Sequence, residues 1–189
     1  FAYGQTGAGK TYTMLGRPED IDQPSLSDHK GLQPRCVEYL FWKFDQIKSS
    51  SSGSDFLVKC TYVEIYNEQF VDLVSPSIKL VKPVYNSNLH VREDLKRGVF
   101  LDGVVEETAS SARETLEILR KGARNRHIGA TSMNLESSRS HSVFSLYIES
   151  KTAEGGVCKV RRSQFHFVDL AGSERQKKTE AKGERLKEG

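Results

Sequence analysis

The run with the clearest chemistry is glycine-rich and lies close to the start of the sequence, Gly4-Gln5-Thr6-Gly7-Ala8-Gly9-Lys10-Thr11. It fits the pattern G-x-x-x-x-G-K-[ST], in which glycines let backbone N–H groups wrap around phosphate oxygens. Lys10 supplies a cation for the β and γ phosphates, and the hydroxyl of Thr11 can ligate Mg²⁺. We therefore predict a site for a nucleotide phosphate chain with Mg²⁺. The alternative is a flexible glycine turn before a helix.

A second candidate lies near the other end, where an apolar strand pattern ends in a carboxylate. Phe165-His166-Phe167-Val168-Asp169 has the form of a Walker B element, whose aspartate accepts a hydrogen bond from a Mg²⁺-bound water. The residues that follow, Leu170-Ala171-Gly172-Ser173-Glu174, are typical of a switch. Gly172 can bring a backbone N–H against the γ phosphate, so movement of this contact would report hydrolysis.

A third polar run lacks any apolar periodicity. Asn134-Leu135-Glu136-Ser137-Ser138-Arg139-Ser140-His141 concentrates hydroxyl groups beside a guanidinium and an imidazole. Such a run can be a solvated serine loop. Three hydroxyls beside an arginine can also hold Mg²⁺, a water and an opposing carboxylate, and the phosphate loop in the same chain favours this interpretation.

The elements that must position these runs alternate between helices and strands. Helices are predicted to begin at Lys10, at Leu32 and, after a capping box at 111–114, in the residues that follow. The second helix carries apolar residues at helical spacing, which predicts one buried face. These residues are Val37, Leu40, Phe41, Phe44 and Ile47. The third helix is predicted to bury Leu116, Leu119 and Ala123.

Strand patterns account for most of the remaining chain. Residues 56–66 are apolar on both faces, which predicts a central strand. Residues 74–105 are expected to form short strands joined by loops, and 144–148 and 159–168 to form two further strands. This order predicts an α/β fold of three layers, a P-loop NTPase with a central mixed β-sheet flanked by helices. Because ligands bind at the carboxyl ends of strands, we expect residues 4–11 and 169–174 to be adjacent.

Composition agrees with a globular protein and excludes some partners. Charged residues make up 28% and apolar residues 37% of 189. The longest apolar run, residues 39–42, is far below the about 20 residues that cross a membrane, so no membrane insertion is expected. Three cysteines far apart suit a reducing compartment. Residues 151–189 carry ten basic and six acidic residues, which indicates a polyanionic partner or a solvated charged face.

The three polar runs together resemble the kinesin motor domain, in residues and in order. The segments that carry the resemblance are Phe1-Ala2-Tyr3 with Gly4 to Thr11, Asn134 with Ser137 to His141, and Asp169 to Glu174. Tyr62-Val63-Glu64-Ile65-Tyr66-Asn67-Glu68 is similar to the family's central strand. The resemblance covers residues 1–189, and residues 174–178 and 184–188 are most similar to the kinesin-12 class.

The resemblance implies a role for each residue of the nucleotide site. Tyr12 would lie against the adenine. The nucleotide would be bound by the loop residues Gly4, Gln5, Thr6, Gly7, Ala8, Gly9, Lys10 and Thr11. Thr11 and Ser138 would ligate Mg²⁺, and Asp169 would accept a hydrogen bond from a water bound to the ion. Ser137 would position the attacking water. Arg139 and Glu174 would form the ion pair that closes the switches, with Glu174 relaying the proton. The residues assigned to catalysis are Ser137, Ser138, Arg139, Gly172 and Glu174.

The resemblance also implies a function, an ATP-dependent microtubule motor. Mg-ATP binding and hydrolysis would be coupled through two switch loops to microtubule binding and movement, which makes the protein a microtubule-stimulated ATPase. Because tubulin is acidic, basic loops are expected to contact it. These residues are Arg92, Lys96 and Arg97 and, after the second switch, Arg175, Lys177, Lys178 and Lys182. For Lys96 and Arg97 a solvated charge run is the alternative.

Further expectations follow from the family. The protein would lie in the cytoplasm on the microtubule cytoskeleton, the spindle included, as a homo-oligomer through a coiled coil outside this chain, with no nucleic-acid partner. We expect residues 1–189 to be a partial motor domain, from the phosphate loop through the loop after switch II, incomplete at both ends and inactive alone. Residues 179–183 depart from the family's Thr-Gly-Ala-Glu-Gly at Glu180 and Lys182, which leaves the behaviour of that loop open.

Two alternative functions differ in class from a motor. The first is a kinesin-like domain that binds microtubules or partners without productive hydrolysis, and the intact residues of the two switches argue against it. The second is another P-loop NTPase such as a small GTPase, but the guanine-reading pattern Asn-Lys-x-Asp does not occur in the sequence.

Overall fold

The computed structural model describes residues 1–17, 28–50, 53–75, 89–95, 98–132, 136–154 and 157–174. The helices in this part of the chain are α1 Lys10–Leu15, α2 Leu32–Ser50, α3 Ala112–Ser132 and α4 Glu136–Arg139. The strands are β1 Ser54–Tyr66, β2 Gln69–Asp72, β3 His90–Asp94, β4 Gly98–Asp102, β5 Glu107–Ala109, β6 His141–Glu154 and β7 Val157–Asp169. No helix in the described ranges is long and apolar enough to span a membrane.

The main sheet has the strand order β2-β1-β6-β7, with β5 also paired to β1. These strands pair antiparallel. A short parallel bridge joins Ala2 to Asp169 at the end of β7. In this bridge the N–H of Ala2 donates to the oxygen of Val168 at 2.8 Å, and the N–H of Leu170 donates to the oxygen of Ala2 at 3.2 Å. The segment that leads into the phosphate loop therefore runs beside the end of β7, which makes the sheet mixed, as predicted.

Strand β1 is the central strand that the sequence predicted, because it pairs with β2, β5 and β6. Its Val58, Cys60 and Tyr62 are almost completely buried. The register places Tyr62 opposite Phe144 of β6, and Phe144 opposite Phe167 of β7. The ring centroids of Tyr62 and Phe144 are 5.4 Å apart, and those of Phe144 and Phe167 are 6.1 Å apart. A row of aromatic rings thus crosses three strands on one face.

Helices α2 and α3 cover that face of the sheet. Phe44 of α2 stacks on Phe56 of β1, with ring centroids 4.1 Å apart. Gly122 of α3 lies against the ring of Tyr62, which is six residues from Phe56 and so on the same face of β1. A Cβ added at Gly122 would lie 2.9 Å from Cε1 and 3.0 Å from Cγ of Tyr62. The absence of a side chain at this glycine therefore sets how closely the helix approaches the sheet.

Helix α3 is also tied to the chain that follows β2. Asn125 donates from Nδ2 to the oxygen of Leu73 at 2.7 Å, and Lys121 donates from Nζ to the oxygen of Val74 at 2.6 Å. The buried carboxylate of Asp72 accepts hydrogen bonds from the N–H groups of Val74 and Val105, at 3.0 and 2.8 Å. The helix, the end of β2 and the segment before β5 are thereby fixed to one another.

Two details of the predicted helices differ in the structure. Ile47 was expected in the core, but its side chain is 43% exposed, because α2 extends past its stacking contact at Phe44 and residues 45–50 are all exposed.

The predicted capping box at the start of α3 forms only in part. The N–H of Glu114 bonds to Oγ of Ser111 at 3.2 Å, whereas the Glu114 carboxylate accepts from the N–H and hydroxyl of Ser110. These bonds from Ser110 lower the pKa of Glu114. Leu116, Leu119 and Ala123 are buried as predicted.

We expect Gly122→Ala to destabilise the protein. Alanine is a better helix former than glycine by about 1 kcal/mol. The added methyl, however, would meet a fully buried aromatic ring, and overpacking of this kind costs about 1–3 kcal/mol. The melting temperature of the complete protein, measured by scanning fluorimetry, should therefore fall. The control is Glu117→Ala at an exposed position of α3, which should leave the melting temperature nearly unchanged. A higher melting temperature for Gly122→Ala would contradict the packing of α3 on β1.

Candidate functional site

The glycine-rich loop leaves the end of the sheet and turns directly into α1. Gly7 and Gly9 have φ values of +80° and +85°, in the left-handed region that glycine adopts without steric cost. The N–H of Ala8 donates to the oxygen of Gln5 at 3.1 Å and closes a tight turn. The helix begins immediately afterwards, since the N–H of Thr13 donates to the oxygen of Gly9 at 2.8 Å. The loop therefore has the curved backbone that the phosphate-binding prediction requires.

The ammonium group of Lys10 lies against this loop. Its Nζ donates to the backbone oxygens of Gly4 and Gln5, each at 3.0 Å. These carbonyl acceptors keep the ammonium group beside the curved backbone. Phosphate oxygens are stronger acceptors for a lysine than neutral carbonyls, so a phosphate chain in the loop could take their place.

The loop and the end of β7 meet in a hydrogen bond between Thr11 and Asp169. Oγ1 of Thr11 donates to Oδ2 of Asp169 at 2.7 Å across 158 residues of sequence. Asp169 is 2% exposed whereas Thr11 is exposed, so this contact lies where the surface loop meets the interior. The prediction that residues 4–11 and 169–174 are adjacent is confirmed, and the hydroxyl and carboxylate expected at the Mg²⁺ site are the pair in contact.

The residues after β7 fold back over the phosphate loop. Glu174 accepts hydrogen bonds from the N–H of Thr6 at 2.9 Å, through Oε2, and from the Thr6 hydroxyl, through Oε1. The N–H of Ser173 donates to the oxygen of Gly4 at 3.1 Å. The bonds from the Thr6 hydroxyl and N–H, with a smaller contribution from the charge of Lys10, lower the pKa of Glu174. The carboxylate is therefore ionised at neutral pH while it holds this contact.

The third polar run lies against the same segment. The N–H of Gly172 donates to the backbone oxygen of Ser138 at 2.8 Å. The N–H of Ala171 donates to Nδ1 of His141 at 3.1 Å, which requires the tautomer with the proton on Nε2. Ser138 and Arg139 lie in α4. All three runs that the sequence singled out are thus in contact at one edge of the sheet.

Other predicted site residues lie at the periphery or outside the described residues. The ring of Tyr12 is 48% exposed, and its hydroxyl lies 3.0 Å from Nδ1 of His29. Arg92 on β3 pairs with Asp102 on β4, with 2.7 Å between Nε and Oδ2. The side chain of Ser137 is outside the described part of the structure. So are Lys96, Arg97, Arg175, Lys177, Lys178 and Lys182.

One residue of the site was missed by the sequence analysis. Arg126 of α3 is 7% exposed, and its Nη1 lies 2.7 Å from Oδ2 of Asp169. Burial acts to lower the pKa of Arg126, but its interactions with Tyr62, Asp169 and Glu64 outweigh this and raise it. The available signal was position, since Arg126 follows the buried Leu119 and Ala123 at helical spacing and so falls on the core face of α3.

Asp169 offers an oxygen that fits a hydrated cation. Its Oδ2 accepts from both Thr11 and Arg126, whereas Oδ1 is buried and has no hydrogen-bond partner in the described part of the structure. A buried acceptor left without a partner costs about 1–3 kcal/mol, so its presence next to a phosphate loop indicates a place for a further donor. A water bound to Mg²⁺ is such a donor, and the residues therefore fit this ion.

Comparisons with known proteins agree on one family. A family model described as the kinesin motor domain matches residues 1–189. The kinesin-like protein KIF15 of Strongylocentrotus purpuratus is 50% identical over 189 residues, which are 100% of this chain and 12% of that protein. KIF15 of Homo sapiens is 48% identical over 189 residues, again 100% of this chain and 13% of that protein. KIN-12E of Oryza sativa subsp. japonica is 45% identical over 190 residues, with 100% of this chain and 10% of that protein covered.

A solved structure gives the same result for the fold. The structure of a fast kinesin, described with its ATPase mechanism and interactions with microtubules, aligns with a TM-score of 0.80 and 44% identity. The alignment covers 98% of this chain and 48% of that chain. The α/β fold with a mixed sheet and flanking helices is confirmed, as is the likeness to the kinesin-12 class. The chain spans 10–13% of the length of the curated relatives named above.

We expect Gly172→Ala to loosen the switch without unfolding the protein. An added Cβ would lie 2.6 Å from Oε1 of Glu174 and would also meet Oγ1 of Thr6. Because these atoms end flexible side chains, they can move away, and the Thr6–Glu174 contact is then lost. Because residue 172 is expected to bring its N–H against the γ phosphate, a side chain here should lower nucleotide turnover by the complete protein about 10-fold or more, with little change in melting temperature.

The matched control is Ser173→Ala, which leaves the backbone bond from residue 173 to Gly4 intact. It should retain most of the turnover. Wild-type turnover in Gly172→Ala would show that a close approach of residue 172 has no part in the reaction.

Proposed function

The chain belongs to the kinesin motor domain family, and on this premise we propose that it forms the nucleotide-binding centre of an ATP-dependent microtubule motor. The observation that carries the proposal is the hydrogen bond from Thr11 to Asp169. It joins the phosphate loop to the strand that leads into the switch. A change at the phosphates can therefore reach the switch through one direct contact.

In this proposal the glycine-rich loop binds the phosphates of ATP. Its backbone curves through three glycines with positive φ, and Lys10 is already held beside it. Lys10 would exchange a carbonyl for phosphate oxygens, which carry more charge. Tyr12 has an exposed ring two residues beyond Lys10 and would lie against the adenine.

Mg²⁺ would be held by hydroxyls and water. Thr11 and Ser138 would ligate it, and the free Oδ1 of Asp169 would accept a hydrogen bond from one of its waters. When bound, the ion neutralises charge on the phosphates in the transition state. The bond between the N–H of Gly172 and the oxygen of Ser138 keeps the two switch segments together at this position.

The switch residues would act on the attacking water and its proton. Ser137 would position the attacking water, and Glu174 would accept the proton of that water through Ser137. The pKa of Glu174 is lowered by its bonds from Thr6, so it is an anion that can exchange partners. We propose that Glu174 leaves Thr6 and pairs with Arg139 when the switches close around ATP. The N–H of Gly172 would then turn from Ser138 towards the γ phosphate.

The partner of the motor would be the microtubule. The exposed hairpin of β3 and β4 carries Arg92, and Lys96 and Arg97 lie between these two strands in the sequence. The basic residues after the second switch, Arg175, Lys177, Lys178 and Lys182, would form a second contact. The positive charge of these residues would attract the acidic surface of tubulin. The protein would accordingly act on the microtubule cytoskeleton in the cytoplasm.

We expect Lys10→Ala to abolish tight binding of Mg-ATP. The substitution removes a charge-assisted contact with the phosphates, and the loss should be about 100-fold or more in affinity. A titration of the complete motor with a fluorescent ATP analogue measures the effect. Lys43→Ala, at an exposed lysine of α2, is the control and should bind normally. Unchanged ATP affinity in Lys10→Ala would refute the assignment of the phosphate loop.

Glu174→Ala should separate binding from turnover. The phosphate loop stays intact, so ATP still binds, but the proton relay and the closing ion pair are lost. Microtubule-stimulated ATP turnover by the complete motor should fall about 100-fold or more. Glu117→Ala on the exposed face of α3 is the control. Near-normal stimulated turnover in Glu174→Ala would rule out the role given to this carboxylate, and no turnover in the wild-type motor would favour the alternative of a binding domain without hydrolysis.

A further inference from the structure

The buried side of the nucleotide site is built around the guanidinium of Arg126. Its Nη1 donates to Oδ2 of Asp169 at 2.7 Å, its Nε donates to Oε1 of Glu64 at 3.3 Å, and its Nη2 donates to the oxygen of Ser140 at 3.4 Å. Ser140 in turn donates from Oγ to Oε1 of Glu64 at 2.5 Å. All four residues are less than 9% exposed. The network is therefore closed and shielded from water.

The four residues come from four different parts of the fold. Arg126 lies on α3, Glu64 on β1 and Asp169 at the end of β7, whereas Ser140 follows α4 directly. Ser140 is thus the residue next to Arg139 of the first switch, and Asp169 is the residue at which the second switch begins. Arg126 is in contact with both switch segments from their buried side.

Arginine suits this position for a geometric reason. The three acceptors are contacted by three different nitrogen atoms, which a planar guanidinium presents in a fixed arrangement. A lysine has one nitrogen and could not place a donor at each of these points. The contacts of Arg126 therefore depend on the shape of the group as well as on its charge.

The network determines which oxygen of Asp169 is left for a ligand. Oδ2 is occupied by Thr11 and Arg126, and Oδ1 is buried without a hydrogen-bond partner in the described residues. If the guanidinium were removed, the carboxylate could rotate and Oδ1 could turn to other donors. We propose that Arg126 is a positioning residue for the nucleotide-bound Mg²⁺, because it locks Asp169 in the orientation that leaves Oδ1 for a water of that ion.

Helix α3 keeps Arg126 in place. Within the five residues before it, Asn125 and Lys121 are hydrogen-bonded to the backbone of residues 73 and 74, and Gly122 is packed on Tyr62. The guanidinium is thus fixed relative to β1 by contacts on its own helix. This inference rests on the proposed function, because it concerns the Mg²⁺ of the proposed ATP site.

The test is the Mg²⁺ dependence of nucleotide binding by the complete motor. The dissociation constant of a fluorescent ADP analogue is measured with Mg²⁺ and with EDTA for the wild type, for Arg126→Gln and for Arg126→Lys. The ratio of the two constants reports the contribution of the ion. Loss of an outer partner of a metal site typically costs about 10–100-fold in metal affinity, so the ratio should fall about 10-fold or more in Arg126→Gln, while binding in EDTA stays near the wild-type value.

Arg113→Gln is the matched control, since Arg113 lies on the same helix with its side chain 86% exposed and paired to Glu117. It should keep the wild-type ratio. Arg126→Lys keeps the charge but has one side-chain nitrogen, and its ratio should be at least a few-fold lower than that of the wild type. If Arg126→Gln does not fold, as shown by its melting temperature, the lysine variant decides.

The outcomes separate this inference from the proposed function. A wild-type ratio in folded Arg126→Gln or in Arg126→Lys overturns the positioning role, and so does an equal loss of binding with Mg²⁺ and with EDTA, since that is the effect of a merely structural residue. In either case the proposed function stands, provided that the wild type binds the nucleotide more tightly with Mg²⁺. If the wild type itself shows no Mg²⁺-dependent binding, the proposed function fails first, and the inference with it.

Discussion

The site depends on one buried carboxylate oxygen that is shared by two donors. Oδ2 of Asp169 accepts from the hydroxyl of Thr11 and from the guanidinium of Arg126, each at 2.7 Å. Removal of either donor would leave charge in the interior with less compensation, which is costly in a buried setting. The carboxylate therefore fixes α1 with its phosphate loop, α3 and the end of β7 to a common point. The positions of the remaining site residues are defined relative to it.

The sheet makes that point available because of how its strands end. Strand β7 pairs with β6 along its full length, and Ala2 joins its end by a parallel bridge. The phosphate loop and the second switch therefore leave the sheet side by side, although they are far apart in sequence. The row of rings from Tyr62 through Phe144 to Phe167 holds the strands in this register from the covered face. A one-residue slip would move these rings to the other face of the sheet.

Much of this arrangement was predictable from the residues, and the rest was not for identifiable reasons. The phosphate loop, the strand ending in Asp169 and the central strand each have a local pattern, and all were confirmed in position. Arg126 also follows a pattern, the helical spacing of the core face of α3. A lone arginine on such a face indicates burial but does not identify its partners, which lie on other elements. The exposure of Ile47 was not predictable because helical spacing fixes the face of a residue and not where the neighbouring sheet ends. The contact of Thr6 with Glu174 depends on loop geometry, which spacing does not encode.

Two sides of the switch segment differ in how firmly they are held. On the buried side, Ser140 and Asp169 are bound to Arg126 in a network that excludes water. On the exposed side, Glu174 is bound to Thr6 by two hydrogen bonds at the surface of the phosphate loop. Surface contacts of this kind contribute little and exchange readily, whereas buried charge networks are costly to break. The difference implies that a closing motion would pivot about Asp169 and would be carried by the residues from Gly172 to Glu174, with α3 remaining in place.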